Sequence, residues 1–585
     1  MKKSKKNFHE STSRSNWTRL RSKLFREVYF WLESLWFHWT GRKGIKGNLM
    51  KDSKTDRTTN PKHVLVVGAG ASGLPAIKSC LEYGFSVVCF ERSNDIGGLW
   101  RYKNDPVEDE GTVMYSTVIN TSKEMTAYSD FPPPSENANY MHNRDLLKYF
   151  RTYAAHFKLE DYIKYEHEVI TIERALDFDE SGQWEVTYRD VKNDEIHHEN
   201  FDGVMLCTGH HSIPHWPEPF PGQSEFLGEI IHSHSFHTGA PFAGKNVVVV
   251  GIGNSGGDIA VELSKLAGQV HLSTRSGSWV INRVWDHGEP SDLAYLNRFT
   301  WFLKGIAPRS WQNAILERKV NRRFDHGRFG LKPDFRFLEA HVTVNDELPN
   351  RIISGTVVVK PNIARFEKKN VIFDDGTVAK DVDVVIFATG FKFSFNLVED
   401  GQLISAENNK VTLYKFMYPP QLAPQNNFAI IGLIQPTGSI MPISEMQTRV
   451  FCSVLAGESK LPNPAEMLES AQRSNEKNRL QYVDRPRHTL QVYYVTYMES
   501  LARLIGVQPK IKKYWFTDWT LAKKLVFHGL VPYQYRLDGT HSWSGARDAI
   551  LGVEERVFNC TMTRKTKATE KSKPVSKFYV WKFVF

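Results

Sequence analysis

Short apolar runs followed by glycine-rich turns are the most regular pattern along the chain. The first apolar run, residues 63–67, leads into a turn with glycines at its first, third and sixth positions, residues 68–73. A stretch with helical spacing follows at 74–82, and a second apolar run covers 85–91. A strand, a tight turn, a helix and a second strand are the parts of a dinucleotide-binding βαβ unit. We call residues 68–73 the first glycine turn.

The same succession occurs a second time. Residues 246–250 form an apolar run, the second glycine turn spans 251–256, and a helical stretch covers 258–266 before a strand that ends at Arg275. The two turns begin 183 residues apart. Repetition of a whole unit with matching internal spacing favours two βαβ units over two unrelated turns.

Other apolar runs extend this picture to an α/β fold. Residues 204–209 and 382–390 are mostly apolar and end in Thr-Gly, which is typical of buried strands in a parallel sheet. Residues 460–510 are strongly charged and have a helical pattern. Since no uninterrupted apolar run reaches the roughly 18 residues that a spanning helix needs, we expect no transmembrane segment.

The N-terminal 60 residues have a different character. Between Trp17 and Trp39, leucine, valine and tryptophan recur at helical spacing, and the basic residues lie largely on the other side. This pattern predicts an amphipathic helix. Residues 41–61 are polar and predict a linker.

The formal charge of +10 belongs to the two ends of the chain. Residues 1–60 hold 15 basic and five acidic residues, residues 562–585 hold seven and one, and the body between them has a net charge of −6. A nucleic-acid enzyme is expected to carry its basic surface on the body, so no nucleic-acid partner is predicted. Five scattered cysteines exclude a disulfide scaffold and a cysteine-rich zinc module.

Each glycine of the two turns has a physical role. The first permits a tight bend, the second lets a pyrophosphate approach the backbone, and the third lets the helix pack against the strand. They are Gly68, Gly70 and Gly73 in the first turn and Gly251, Gly253 and Gly256 in the second. Free N–H groups and the positive end of the helix dipole would then hold the diphosphate.

The residues that follow the second strand distinguish the two ligands. Glu91 ends the first unit, and a carboxylate there accepts hydrogen bonds from the ribose diol of FAD or NAD and repels a 2′-phosphate. The second unit ends in Ser273, Thr274 and Arg275, whose hydroxyls and guanidinium suit the 2′-phosphate of NADP. The residues therefore indicate one FAD site and one NADP site.

Ser255 offers a different interpretation of the second turn. Residues 253–257 also spell Gly-x-Ser-x-Gly, the nucleophile turn of α/β-hydrolases, but the sequence does not place the acid and histidine partners that this mechanism requires. His211 and His215 have the spacing of a helical metal pair. Because Pro214 between them disfavours a helix, no metal site is predicted.

Four ordered motifs carry a family resemblance. They are Glu91–Trp100, Asn120–Met125, the Phe226-x-Gly228-x3-His232 fingerprint and Phe387–Gly390. Together they resemble the flavin-containing monooxygenases of animal microsomes, of the dimethylaniline N-oxide-forming type. The resemblance runs from about residue 63 to about residue 551.

The resemblance implies which residues contact the cofactors. Those expected at FAD are Gly68, Ala69, Gly70, Ala71, Ser72, Gly73, Glu91, Gly98, Leu99, Trp100, Asn120 and Thr121; those expected at NADP are Ile119, Asn120, Gly251, Gly253, Asn254, Ser255, Gly256, Gly257, Asp258, Thr274 and Arg275. It also implies that Asn120 is the catalytic residue, with its amide over the reactive carbon of the flavin. The residues alone favour an Asx-turn cap at Asn120, and the resemblance reverses that preference.

The same resemblance implies an NADPH- and O₂-dependent flavoprotein monooxygenase. NADPH would reduce FAD, O₂ would add to form a C4a-hydroperoxyflavin, and a soft amine nitrogen or sulfide sulfur of a small molecule would take the distal oxygen. The alternatives are a Baeyer–Villiger or N-hydroxylating monooxygenase on the same scaffold, and a catalytically silent membrane-docked flavoprotein. Phe236 stands where Baeyer–Villiger relatives usually carry tryptophan, and we expect His232 to brace the linker between domains rather than act as a base.

The predicted fold has two Rossmann-like domains, the NADP domain inserted in the FAD domain. The segments are a basic extension and linker (1–60), the first part of the FAD domain (61–213), the NADP domain (214–385) with a helical insertion (282–345), the second part of the FAD domain with a helical region (386–556), and a basic aromatic tail (557–585). The insertion is either an element near the membrane and the substrate entrance, as in animal relatives, or an ordinary insertion with a solvated basic face.

The predicted location is the cytosolic face of the endoplasmic reticulum membrane. Family members of this type commonly end in an anchoring helix, but residues 577–585 are too few to cross a bilayer of about 30 Å. The helix predicted over 17–39 could replace that anchor by lying in the interface, so we expect peripheral membrane association. Whether the chain forms a homo-oligomer stays open.

Overall fold

Two parallel sheets organise the part of the chain that the computed structural model describes, which comprises residues 61–105, 107 and 109–564. The helix predicted over 17–39 and the chain from residue 565 onward lie outside the described residues. Each sheet has five strands, and each contains one glycine turn.

The first parallel sheet has the first glycine turn at the end of its central strand. Its strands, in spatial order, are Phe428–Ile430, Gly203–Leu206, His63–Val67, Ser86–Glu91 and Ile163–Tyr165. Val67 pairs with Phe90 on one side and with Leu206 on the other. The strand order reverses here, so the turn lies at the switch point where doubly wound sheets bind ligands.

The second parallel sheet repeats this arrangement. Its strands, in spatial order, are Val357–Lys360, Gln269–Ser273, Asn246–Val250, Val384–Phe387 and Glu229–His232. All of them lie, in sequence, between two neighbouring strands of the first sheet, Gly203–Leu206 and Phe428–Ile430. This confirms the predicted α/β fold with one Rossmann-like unit inserted in the other. The domain boundaries stay a prediction.

Burial on both faces explains why these strands are almost wholly apolar. Val247 and Val249 pack with Ile259 of the following helix on one face of the second sheet. Val248 packs with Phe366 on the other face. A parallel sheet covered on both sides needs apolar residues at successive positions, which is the pattern of the sequence.

Helices and smaller two- and three-stranded sheets surround the two parallel sheets. The α-helices are Gly73–Glu82, Lys123–Thr126, Asn143–His156, Phe178–Ser181, Asn254–Leu263, Ser291–Tyr295, Arg298–Ile306, Arg309–Asn321, Leu348–Ile353, Met441–Leu455, Pro464–Gln481, Tyr494–Leu504, Ile511–Thr517, Trp519–Phe527, Ala546–Leu551 and Val553–Asn559. The remaining strands are His167–Arg174, Trp184–Asp190, Glu195–Phe201, Ile213–Pro214, Val280–Ile281, Thr343–Val344, Ile363–Phe366, Val371–Phe373, Val378–Ala379, Phe391–Lys392, Gln435–Pro436 and Gln491–Val492. Within the described ranges, none of the helices has both the length and the apolar character to cross a bilayer.

The predicted insertion at 282–345 is helical and closed at its base. Val280–Ile281 pairs in parallel with Thr343–Val344, so the chain leaves and re-enters the second unit at neighbouring points. The helical region predicted over 460–510 contains two α-helices, Pro464–Gln481 and Tyr494–Leu504, separated by a connection that includes a 3₁₀ turn at Pro486–His488.

Candidate functional site

The first glycine turn is sterically restricted to glycine at two positions. Gly68 has φ +97°, in the left-handed region that side chains rarely adopt, and its N–H donates to the Phe90 carbonyl at 2.8 Å. A Cβ atom on Gly73 would lie 1.8 Å from the Gly68 carbonyl oxygen. The helix can therefore start directly behind the strand only because residue 73 has no side chain.

Glu91 is bound to the first glycine turn. Its Oε2 accepts from the Ala69 N–H at 2.7 Å, and its Oε1 accepts from the Ser93 N–H at 2.9 Å and from the Ser93 hydroxyl at 2.6 Å. The side chain is held at the end of the second strand, as predicted. Within the described part of the chain, Oε2 accepts only the hydrogen bond from Ala69, so the carboxylate retains a lone pair there for a hydroxyl of a ribose diol.

Residues 98–100 close over the same turn. The Gly97 N–H donates to the Ala69 carbonyl at 3.1 Å, and a Cβ atom on Gly70 would lie 3.6 Å from the Gly98 Cα. Gly98–Trp100 form a 3₁₀ turn, and Leu99 packs beside Gly111. The backbones of the first turn and of the Gly-Gly-Leu-Trp motif therefore face each other without side chains between them.

The second glycine turn has the same construction. Gly251 has φ +111°, and its N–H donates to the Ser273 carbonyl at 2.9 Å. A Cβ atom on Gly256 would lie 2.0 Å from the Gly251 carbonyl oxygen, close to the 1.8 Å of the first turn. The matching contacts support the inference of a duplicated unit.

The helix after the second turn begins at Asn254, four residues earlier than predicted. Gly256 and Gly257 belong to its first turn, where a Cβ atom on Gly256 would strike the strand. Asn254 Oδ1 accepts from the Val344 N–H at 2.9 Å, which ties the helix start to the return of the insertion. The strand predicted to end at Arg275 ends at Ser273, because Thr274 Oγ1 accepts from the Gly277 N–H and starts a turn.

Asp258 lies one turn further along this helix and is nearly buried. Burial raises the pKa of its carboxyl to about 6, although the charge of Arg283 and a hydrogen bond from Asn345 oppose that rise. The Asn345 Nδ2 donates to Asp258 Oδ1 at 2.8 Å. Ser255, by contrast, is exposed, and within the described ranges no histidine or acid hydrogen-bonds it. The hydrolase interpretation therefore finds no support here.

Asn120 lies where the two dinucleotide units meet. Arg283 reaches it from the start of the insertion, and its Nη2 donates to Asn120 Oδ1 at 2.7 Å. The same guanidinium donates to the Ile119 and Val118 carbonyls at 3.3 Å and pairs with Asp346 at 2.9 Å. A guanidinium can only donate, so this contact fixes the orientation of the Asn120 amide, with its NH₂ group pointing away from Arg283.

A second side chain of the insertion holds the same segment. The Ser122 N–H donates to Asp292 Oδ2 at 2.7 Å, and burial raises the pKa of Asp292 to about 6 while the hydrogen bonds from Ser122 partly offset that rise. Thr121 bonds Thr126 at 2.8 Å. Arg283 and Asp292 are functional candidates that sequence reasoning missed, since it treated the insertion only as a helical or membrane-facing element.

His232 lies at the crossing of the two connections between the sheets. Ile213–Pro214 pairs with Phe391–Lys392 there, and the His232 ring contacts Trp216 and Phe391 at centroid distances of 5.4 Å. Burial, and then the neighbouring His234, lowers the pKa of His232 to about 4. A buried neutral ring between two connections agrees with the expected bracing role.

Two of the cysteines, and the histidine pair whose spacing resembles a helical metal pair, lie on or beside elements of the first unit. Cys80 is in the first helix, Cys89 is in the second strand, and both are buried free thiols. His211 and His215 flank a short strand, as the intervening Pro214 suggested. Within residues 61–564 as described, no three acidic, histidine or cysteine side chains are grouped to hold a metal ion.

Fold and site together define a class of protein. A glycine turn lies at the switch point of each of the two parallel sheets. Glu91 ends the second strand of the first unit, and Thr274 and Arg275 follow the second strand of the second unit. Asn120 lies between the two units, held by Arg283. This is the arrangement of a flavoprotein with a second dinucleotide site. The sequence matches the family described as flavin-binding monooxygenase-like over residues 61–585, and the chain belongs to that family.

Curated relatives of known name agree with this assignment. Flavin-containing monooxygenase 5 of Oryctolagus cuniculus is 49% identical over 510 residues, which are 87% of this chain and 95% of that protein. Dimethylaniline monooxygenase [N-oxide-forming] 2 of the same species is 42% identical over 509 residues, 87% of this chain and 94% of that protein. The chain is therefore an NADPH-dependent flavoprotein monooxygenase, and the expected cofactors FAD and NADPH are confirmed.

Solved structures share the fold at lower identity. S-allyl-L-cysteine S-oxygenase from Allium sativum has a TM-score of 0.58 and 21% identity, covering 84% of this chain and 98% of that one. A cyclohexanone-bound cyclohexanone monooxygenase has a TM-score of 0.55 and 17% identity, covering 77% of this chain and 98% of that one. Both support the two-domain architecture.

Proposed function

We propose that this monooxygenase transfers one atom of O₂ to a soft nitrogen or sulfur nucleophile of a small molecule. Support comes from the N-oxide-forming relative and from Asn120, the observation that carries the proposal. Its amide lies between the two dinucleotide units and brings no charge to the reacting atoms. A neutral donor there can stabilise developing negative charge on oxygen without placing a formal charge beside the flavin.

The geometry of the two turns supports the proposed cofactor contacts. Gly68–Gly73, Glu91 and Gly98–Trp100 would hold FAD, because their backbones leave a gap that a Cβ atom would fill. Asn254–Asp258, Thr274 and Arg275 would hold NADPH, with Ile119–Thr121 between the two. When bound, the flavin supplies the electron transfer and oxygen activation. The chain's own residues bind and orient the cofactors, and the Arg283–Asn120 pair fixes an amide donor beside them.

An anaerobic reduction experiment tests this proposal. Purified protein should contain FAD, and NADPH should bleach the flavin absorbance much faster than NADH does. After admission of oxygen, N,N-dimethylaniline and methyl phenyl sulfide should give the N-oxide and the sulfoxide, and cyclohexanone should give little lactone. Absence of flavin, or no reduction by NADPH, would overturn the enzyme assignment. Lactone as the main product would replace the proposed substrate class with ketones.

We further propose peripheral attachment to the cytosolic face of the endoplasmic reticulum. Supporting it, Trp311 and Ile315 lie one turn apart on helix Arg309–Asn321 and are 67% and 50% exposed, and Phe516 on helix Ile511–Thr517 is 85% exposed. Exposed aromatic residues suit the headgroup region of a bilayer. The basic excess of residues 1–60 would add attraction to anionic lipid.

Flotation with liposomes tests the attachment. Full-length protein should float with vesicles containing phosphatidylserine, and deletion of residues 1–60 or the double change Trp311→Ser, Phe516→Ser should reduce the floating fraction severalfold. NADPH oxidation and FAD content should be unchanged in both variants, since the residues removed or changed are not among those proposed to hold FAD or NADPH. Equal flotation of all three proteins would contradict the proposal, and a fluorescent fusion that does not co-localise with the endoplasmic reticulum would contradict the location.

A further inference from the structure

Three arginines converge beside the second glycine turn. Arg275 follows the second strand of that unit, whereas Arg485 and Arg487 come from the connection between helices Pro464–Gln481 and Tyr494–Leu504. Arg485 Nη2 donates to Ser276 Oγ at 2.8 Å, directly beside Arg275. The Arg485 guanidinium also lies 5.6 Å from the centre of the Phe335 ring. A bond spanning 209 residues thus brings the connection to the end of the second strand.

Among the described residues, the three cations have no anionic partner in contact. Burial, followed by the charges of Arg485 and Arg275, lowers the pKa of Arg487 to about 10. Arg487 Nε donates to His488 Nε2 at 3.2 Å, and His488 Nδ1 lies 2.7 Å from the Val483 carbonyl, which makes this ring neutral. Throughout the described ranges, no carboxylate lies within 4 Å of these guanidinium groups, and Asp334 acts on Arg485 only at longer range.

Like charges at a partly buried position are unfavourable unless an anion binds between them. The place where they meet is the position that the ribose 2′-substituent of a dinucleotide occupies in a Rossmann unit. A phosphate monoester there carries about −1.5 to −2 charges and offers three acceptor oxygens, and guanidinium groups match it with paired hydrogen bonds.

We propose that Arg485 and Arg487 complete, with Arg275, a clamp for the 2′-phosphate of NADPH. This inference rests on the proposed placement of NADPH at the second glycine turn. It goes beyond that placement, because two of the three cations come from a chain segment outside the second unit. Binding of NADPH would therefore join the helical region to the second parallel sheet, and the choice of NADPH over NADH would depend on their contact.

Glutamine variants of the holoenzyme test the clamp. Arg485→Gln keeps a donor for Ser276 and removes the charge, and Arg487→Gln removes the second charge. Loss of one charge-assisted contact should weaken NADPH binding about 10- to 100-fold in each variant, whereas NADH binding should change less than about threefold. Dissociation constants would come from anaerobic flavin reduction at increasing coenzyme concentration. Calorimetry with 2′,5′-ADP and 5′-ADP gives a readout independent of turnover.

Two control variants separate the possible failures. Arg479→Gln removes an exposed charge paired with Glu476 on the preceding helix and should leave both coenzymes unaffected. Arg275→Gln should lose NADPH selectivity; if it does not, the placement of NADPH itself is wrong. If Arg275→Gln loses selectivity but Arg485→Gln and Arg487→Gln keep it, or weaken both coenzymes equally, only the clamp is overturned. If Arg487→Gln does not retain FAD, Arg487→Lys must keep NADPH selectivity for the clamp to stand.

Discussion

Replacement of Arg283 by methionine should reduce formation of the oxygenated product about 10- to 100-fold while the protein retains its FAD. The guanidinium donates to Asn120 Oδ1 and to two backbone carbonyls of the same segment, and methionine can make none of these bonds. Charge-assisted hydrogen bonds of this kind contribute about 1.5–3 kcal/mol, which sets the size of the effect. With the amide free to rotate, more of the NADPH consumed should end as hydrogen peroxide. The measurement is product and peroxide formed per NADPH oxidised.

A double-mutant cycle shows whether Arg283 acts through Asn120. If it does, Asn120→Ala alone should have the phenotype of Arg283→Met, and the double variant should lose little more than either single variant. Arg283→Lys keeps the charge beside Asp346 but not the planar guanidinium. The product that it forms per NADPH oxidised should therefore lie between the values of the unchanged protein and of Arg283→Met. Additive losses in the double variant would show that Arg283 acts on the coenzyme or on Asp258 instead.

Local features of the fold were accessible from the sequence because they depend on neighbouring residues. Burial of a parallel strand requires consecutive apolar positions, and the strand-to-helix turn requires glycine where a Cβ atom would strike the preceding strand. Glu91 was also predictable, since its contact with Ala69 spans only one βαβ unit. The start of helix Asn254–Leu263 was predicted too late, because glycine has a low helix propensity and the pair Gly256 and Gly257 therefore indicates a loop. Close packing against the second glycine turn instead requires these glycines inside the helix.

The residues that complete the site depend on contacts distant in sequence. Arg283 meets Asn120 across 163 residues, and Arg485 meets Ser276 across 209. Neither arginine belongs to a periodic pattern or a motif, and the sequence around each does not distinguish it from an ordinary charged residue of the surface. Only the folded chain shows that the Arg283 side chain is 11% exposed and donates to the amide of Asn120, between the two dinucleotide units. The sequence thus predicts the cofactors better than the groups that position them.

Replacement of Arg536 by methionine should destabilise the protein by about 3–5 kcal/mol, the cost of leaving buried carboxylates unpaired. Arg536 is 1% exposed and pairs with Glu82 at 2.9 Å, Asp130 at 3.3 Å and Glu445 at 3.2 Å. Burial alone would raise the pKa of Glu82, but the charge of Arg536, followed by that of Lys78, outweighs it and lowers this pKa to about 2. Glu82 is the last residue of the helix that follows the first glycine turn, so loss of its partner Arg536 should also weaken the binding of FAD.

A thermal melt followed by flavin fluorescence measures this effect, with a fall in melting temperature of about 5 °C or more expected for Arg536→Met. Arg473→Met is the matched control, because Arg473 forms an exposed pair with Glu469, and surface pairs contribute about 0–1 kcal/mol. Adding Glu445→Gln to Arg536→Met should recover part of the loss, since it removes one of the carboxylates left without a partner. A melting temperature of Arg536→Met equal to that of Arg473→Met would contradict the argument. No recovery in the double variant would show that packing of the long side chain, rather than its charge, stabilises the contact between the first helix and the C-terminal segment.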